Sequence, residues 1–280
     1  MPVANPFTYV RPGQAVSVIA VIGRATLDFL NTVGELTVLL GAVVRAWFGD
    51  PQRRSVVSTQ LYHIGYLSLP VVLVFGFFLG LVVAVQAFST LVKFKAEVMC
   101  GPMVNYSLLS QLAPTFTALI FAGRVGSNMA AEIGTMQVTE QVDALRVMGT
   151  DPIAHLVAPR VLACLLLLPV LTAVAGLTGM ISASFLCINV WGVDAGGYWF
   201  QSTVFCSWYD VASGLTKTLF FGAIIALVCC RQGLATAGGA TGVGQSVTRG
   251  VVQASVAVMV ANFALTLVSN QLWYLLLAPK

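Results

Sequence analysis

The chain has 280 residues, of which 58% are apolar and 9% charged, against roughly 25% charged residues in soluble domains. So little charge excludes an ordinary water-soluble fold, and the formal charge of +4 is dispersed along the chain rather than gathered into a nucleic-acid-binding patch. A bilayer core about 30 Å thick calls for about 20 consecutive apolar residues per helix, and windows of that length divide the chain.

At the N-terminus, Pro2, Pro6 and Pro12 stand where a secretory leader carries its basic region, and no small-residue cleavage site follows a short apolar run. The first segment is therefore expected to be retained. From Gln14 to Trp47 the sequence is apolar but interrupted by Arg24, Asp28, Asn31 and Glu35, at spacings of four, three and four that share one helical face. Three charges near the middle of a span are costly, whereas a helix lying in the interface keeps them wet. This stretch reads as an amphipathic helix on the cytoplasmic surface, the alternative being a sixth span with its charged stripe against neighbours. Gly49, Asp50 and Pro51 then form a turn, and Arg53 and Arg54 an inner anchor. The division is a cytoplasmic N-terminus with its interfacial helix, 1–55, and a five-span domain, 56–280.

The first span is placed at about 67–88. Within it Gly76, Gly80, Ala84 and Ala87 have the spacing that lets another helix approach closely. For Gly76, Gly80 and Ala84 the readings are helix packing, including packing between paired permeases, or the wall of a lipid path. The second span, about 103–123, contains Asn105, Gln111 and Pro114 but no charge. After it comes the most polar long stretch of the chain, Arg124 to Arg160. Thr139 is expected to cap a short helix starting at Glu140, with acids in its first turn, ended by Gly149 and Pro152. That helix has a charged face and an apolar face of Val142, Leu145 and Met148. The residues alone leave a docking helix and a solvated loop both open.

The third span, about 161–188, repeats a small face in Thr172, Gly176, Gly179 and Ala183 and carries Pro169, which predicts a kink. An outer loop from Asn189 to Asp210 holds Trp191, Tyr198, Trp199, Phe200, Phe205, Trp208 and Tyr209. These read as a headgroup-level belt, or else as a docking surface for an outer partner. The fourth span, about 211–230, contains Lys217, expected to snorkel to the outer boundary. The glycine-rich segment Gly238 to Arg249 reads as a flexible inner turn; it lacks the Lys-Ser/Thr ending and the preceding strand of a phosphate-binding loop. In the fifth span, about 251–277, Ser255, Asn262, Thr266 and Ser269 form a polar stripe that is either interhelical hydrogen bonding or the lining of a path.

With five spans and a cytoplasmic N-terminus, all ten arginines fall inside, while Lys93, Lys95, Lys217 and Lys280 fall outside or at the outer boundary. The positive-inside rule thus predicts N-in, C-out. The six cysteines show no C-x-x-C pair and no histidine at metal-ligand spacing, so they read as small packing residues. Cys100 and Cys206 are the two that the topology could bring together on the outer side.

The segments Ala131-Glu132-Ile133-Gly134-Thr135-Met136 and Glu140-Gln141-Val142-Asp143-Ala144-Leu145, followed by Gly149, Pro152 and Pro159-Arg160, closely resemble the signature of the MlaE/YrbE permease family. A second match is Gly238-Gly239-Ala240-Thr241-Gly242-Val243-Gly244-Gln245-Ser246-Val247-Thr248-Arg249. The resemblance runs from about Pro114 to the C-terminus, and the preceding helix and first span agree with it in order and length. Thr241 and Gln245 stand where the family commonly carries more polar or charged groups, and Val142 replaces a common isoleucine. The resemblance implies an all-α integral membrane permease of a lipid ABC transporter in a bacterial inner membrane, with a cytoplasmic coupling helix. Its partners would be a cytoplasmic ABC ATPase dimer, a second permease and MCE-domain proteins outside. The YrbE branch of actinobacterial MCE operons looks the closer, which would make the second permease a paralogue, an identical copy being the alternative. The implied coupling residues are Glu132, Glu140, Gln141, Asp143, Ala144, Leu145, Arg146 and Gly149, with Glu140 and Asp143 meeting basic groups of the ATPase and Glu132 supporting the preceding turn. ATP and Mg belong to that ATPase, and this chain is expected to hold no cofactor, metal or catalytic residue of its own.

A membrane enzyme would need convergent catalytic groups, yet His63 and His155 are isolated and no paired acids sit within a span. The stronger rival is a secondary transporter of an apolar or amphipathic solute. Such carriers place ionisable groups near the bilayer midplane, and a boundary position for Lys217 speaks against it.

Overall fold

A computed structural model describes residues 18–47 and 54–276. The N-terminal prolines, the turn at Gly49, Asp50 and Pro51, the anchor residue Arg53, and Lys280 lie outside the described residues. Among those described, regular structure is entirely helical. Helix α1 (Val18–Trp47) precedes α2 (Arg54–Leu91). Helices α3 (Cys100–Ser107), α4 (Ala113–Phe121) and α5 (Ser127–Val138) are joined end to end by π turns at Leu108–Leu112 and Ala122–Gly126. The short α6 (Gln141–Val147) leads through a π turn at Ile153–Val157 into α7 (Ala158–Phe185), which ends in another at Leu186–Val190. Helices α8 (Ala195–Phe205), α9 (Trp208–Leu234) and α10 (Gly239–Leu276) complete the chain.

Five of these rods are long and apolar enough to cross a membrane: Gln60–Phe94, Glu97–Val138, Ile153–Val190, Trp208–Leu234 and Gly239–Trp273. They agree in number and order with the sequence windows, and the chain is an all-α integral membrane protein. Each rod outlasts its apolar window because polar residues continue the helix beyond the hydrocarbon; even 27 residues rise about 40 Å.

Two prolines account for π turns that hydropathy cannot reveal. Pro114 has no N–H to give the Ser110 carbonyl four residues earlier, and Pro159 has none for His155. A wider turn relieves the clash of each ring with that carbonyl, and the turns fall at Leu108–Leu112 and Ile153–Val157.

Helix α7 lies between α2 and α9, and α9 packs in turn on α5 and α10. Small residues set the α2–α7 distance. A Cβ on Gly76 would stand 2.6 Å from the Ala175 carbonyl oxygen, and one on Gly80 would run into the Gly179 carbonyl and the Ser182 hydroxyl. Ser182 Oγ also donates to the Phe77 carbonyl at 2.8 Å, and Ala84 is fully buried. At Gly76, Gly80 and Ala84 the structure thus shows helix packing within the chain, the small residues of α2 and α7 meeting each other.

Helix α1 docks through Leu39 and Val43, which are buried in the inner core with Val157, Phe221 and Ile225. Glu35 Oε2 accepts from Arg231 Nε of α9 at 2.6 Å. Leu30, Leu40 and Val44 remain exposed on the other side. The helix has one face on the bundle and one apolar face exposed; the side chains of Arg24 and Asp28 lie outside the description.

Two sequence expectations are corrected. Residues 239–249, read as part of a flexible inner turn, are the opening turns of α10; the true turn is short, with Gly238 and Gly239 at φ +91° and +69°. The aromatic outer loop contains α8, which lies against α3. Its Asp194 N-cap receives the Gly197 N–H. Tyr198 is fully buried and Trp191 stacks on Phe88 at 4.1 Å, leaving Trp199, Phe200, Phe205 and Trp208 exposed.

Candidate functional site

Helix α6 stands between the ends of the second and third rods. It begins differently from the sequence expectation. Thr139 donates its hydroxyl backward to the Thr135 carbonyl at 2.9 Å, closing α5, and supplies no cap to α6. The reversal is made by Glu140, whose backbone takes the left-handed conformation at φ +60°. A non-glycine residue there costs on the order of 1 kcal/mol, so the sharp turn is held by its surroundings. At the other end, Gly149 at φ +74° lets Thr150 N–H reach the Leu145 carbonyl at 3.0 Å, a Schellman-type stop. Asp151 then accepts from Ile153 N–H at 3.0 Å and starts the next helix.

Within α6, Val142 is fully buried and Leu145 half-buried, which root the helix on the bundle. Gln141, Ala144 and Glu140 are exposed. Asp143 pairs with Arg146 at 2.9 Å, both open to solvent. Val147 and Met148 are 89% and 69% exposed. The sequence groups Met148 with Val142 and Leu145 on one apolar face; in the structure it is unburied and joins Val147 in an apolar tip.

Glu132 has a different job from its neighbours. Its Oε2 accepts from Arg160 Nη2 at 2.9 Å and its Oε1 from Asn128 Nδ2 at 2.9 Å. Arg160 is buried and also donates to the Leu156 carbonyl. Glu132 thus clamps α5 to the start of α7 and fixes the base from which α6 projects. Asn128 was not singled out from the sequence, and Arg160 entered only as part of the Pro159-Arg160 signature, with no role assigned to it.

A polar cavity of about 400 Å³, lined by Asp210 among others, lies in the half of the bundle opposite α6. Lys217 reaches it and is only 3% exposed, so it does not snorkel to the boundary. Its Nζ donates to the Ser110 carbonyl at 3.2 Å and to Thr266 Oγ1 at 3.1 Å. That carbonyl is the one whose α-helical donor Pro114 removes. Thr266 donates onward to the Asn262 carbonyl at 2.7 Å and lies 3.3 Å from Gln111 Oε1. Among the described residues no carboxylate forms an ion pair with Lys217. Tyr209, whose hydroxyl donates to the Ser269 carbonyl, lines the same cavity with Ser213 and Asn270. Of the polar stripe of α10, Asn262, Thr266 and Ser269 gather here; Ser255 sits about three turns away along the helix.

Residues 57–268 match the family described as Permease MlaE. A probable ABC transporter permease protein of Rickettsia typhi is 36% identical over 245 residues, covering 88% of this chain and 95% of the relative. The intermembrane phospholipid transport system permease protein MlaE of Haemophilus influenzae is 35% identical over 256 residues, 90% of this chain and 97% of the relative. The chloroplastic protein trigalactosyldiacylglycerol 1 of Arabidopsis thaliana is 38% identical over 207 residues, 74% of this chain and 59% of that protein. The motif around α6, the five rods and this similarity over most of the chain agree, and the chain belongs to the MlaE permease family.

Proposed function

We propose that this chain is the membrane permease of an ATP-driven lipid transporter in a bacterial inner membrane, N-terminus inside and C-terminus outside. A second permease, a paralogue or an identical copy, pairs with it. A cytoplasmic ABC ATPase dimer, which holds the ATP and Mg, docks on α6, and MCE-domain proteins meet the outer side. The observation that carries this reading is the tip of α6, where Val147 and Met148 stand unburied on a helix rooted by Val142. Burying each such side chain is worth about 1.5 to 3 kcal/mol, so the pair offers a partner an apolar anchor at the centre of a larger contact. Glu140, Gln141, Asp143 and Arg146 frame the tip with polar groups that fix its register. A push on α6 passes through the Glu132–Arg160 clamp into the second and third rods. The lipid substrate is supported by the name of the relative in H. influenzae, that of a phospholipid transport permease, and the cavity that Lys217 lines together with Asp210 offers a cation to an anionic headgroup. Exposed Trp199, Phe200 and Trp208 on and beside α8 suit an outer partner or the headgroup zone.

The test is co-purification of the ATPase with a Val147→Glu, Met148→Glu double variant. Because both side chains are exposed, the permease should reach the membrane with unchanged melting while ATPase recovery falls at least about tenfold, the equivalent of 1.4 kcal/mol. Full recovery sinks α6 as the docking helix. A second reading, a secondary transporter, gains one observation, since Lys217 lies inside a span rather than at its edge. Substrate movement by the purified permease under a proton gradient, with no ATPase added, would establish that reading instead.

A further inference from the structure

Two thiols that stand 87 residues apart in sequence meet at the outer end of the bundle. Cys100 is the first residue of α3, and Cys187 lies in the π turn that closes α7. Their Sγ atoms are 3.4 Å apart, and both residues are fully buried. Around them are Ala84, Ala87, Val104, Ala183, Val193 and Tyr198, a core separate from the inner one. Among the described residues, no set of three histidines, cysteines or carboxylates is placed to hold a metal, so a metal does not explain the pair. Cys206, the partner the topology suggested for Cys100, ends α8 and is half-buried, and Cys164, Cys229 and Cys230 belong to the inner core.

We propose that Cys100 and Cys187 are joined by a disulfide in the protein as it sits in the membrane. The proposal rests on the N-in orientation given above, which turns this end of the bundle toward an oxidising compartment. Bonded sulfurs sit about 2.05 Å apart, so the two atoms must close by a little over an ångström. Both ends can yield, since Cys100 follows two 3-10 turns and the left-handed Lys95, and Cys187 lies in a wide π turn. One cysteine thiolate attacks the disulfide of an extracytoplasmic thiol oxidase, and the second then displaces that protein from the mixed disulfide. The two cysteines together lose two protons and two electrons, and the oxidase disulfide is reduced to two thiols.

The bond ties the second rod to the third at their outer ends, beneath α8. Asn105 Nδ2 donates to Ser202 Oγ at 3.0 Å, and a Cβ on Gly101 would meet the Tyr198 carbonyl at 2.7 Å. The α8 cap therefore rides on the linked pair, and the outer mouth behaves as one body when α6 is pushed from the other side.

The experiment is thiol trapping. Membranes are quenched in acid, unfolded without reductant, alkylated, and mapped by peptide mass. A cross-linked peptide pair carrying Cys100 and Cys187 with the other four cysteines alkylated is the expected result. In Cys100→Ser all five remaining cysteines should be alkylated. In parallel, a Lys95→Cys variant reports orientation by its reaction with a membrane-impermeant maleimide in right-side-out vesicles. Six alkylated cysteines with an outward-labelled position 95 overturn the disulfide and leave the orientation standing. Six alkylated cysteines with position 95 protected overturn both. A cross-linked pair with position 95 protected upholds the bond and removes the orientation.

Discussion

At the scale of single residues, the two faces of this chain respond to substitution for opposite reasons. Arg160 is buried with its charge answered by Glu132, so Glu132→Ala leaves a buried guanidinium without its carboxylate. Removing one partner of a fully buried pair costs about 3 to 5 kcal/mol. Glu132 is itself partly exposed, so water can enter and the expected loss is about 2 kcal/mol, read as a lowered melting temperature in detergent. Glu132→Gln, which keeps an oxygen for Arg160, should lose less than half of that. Glycines divide by what surrounds them. Gly80→Val drives a side chain into the Gly179 backbone and Ser182 and should cost about 3 kcal/mol. Gly244→Ala enters open space on α10 and should gain about 0.5 to 1 kcal/mol. Equal melting of the two variants would contradict the close α2–α7 contact.

At the scale of elements, apolar length alone marked the five rods, because a membrane span leaves the strongest of all sequence signals. The short α6 was legible from its polar and apolar faces and its glycine stop. Its N-terminus was misread because a threonine beside an acid looks like a cap, whereas the hydroxyl of Thr139 serves the preceding helix. The π turns, the α8 helix and the burial of Lys217 were not legible, since each depends on which carbonyl or core a neighbouring rod presents. Helix α1 shows the same limit. Its amphipathic pattern named a surface helix, but only the packed bundle reveals that Glu35 reaches Arg231 on α9. Glu35 is largely exposed, so this pair should contribute about 0.5 to 1 kcal/mol and weaken with salt. Glu35→Arg should loosen α1, seen as faster proteolysis between α1 and α2, and the exchange Glu35→Arg with Arg231→Glu should restore protection. Failure of the exchange to restore it would leave α1 held by Leu39 and Val43 alone.

At the scale of the whole molecule, the half of the bundle that carries α6 and the half opposite it use charge differently. At the α6 end, ion pairs accompany an exposed apolar tip; in the opposite half, one lysine is kept inside the bundle, where it donates to a carbonyl and a hydroxyl. Folding gains little from that arrangement, because a buried charge costs several kcal/mol of desolvation that neutral partners repay poorly. Methionine has nearly the same length and no charge, so Lys217→Met should leave the melting temperature unchanged or raise it. If the lysine is retained for an anionic headgroup, the same variant should lose most anionic phospholipid from the purified transporter, as measured by mass spectrometry of bound lipid. Zwitterionic lipid should be little affected, and lipid-stimulated ATPase activity in the assembled complex should fall with the anionic fraction. A variant that melts several degrees lower while binding the same lipids would make Lys217 a structural tie between the second, fourth and fifth rods. The direction of the stability change separates these roles, because a structural tie and a ligand site make opposite demands on the same buried charge.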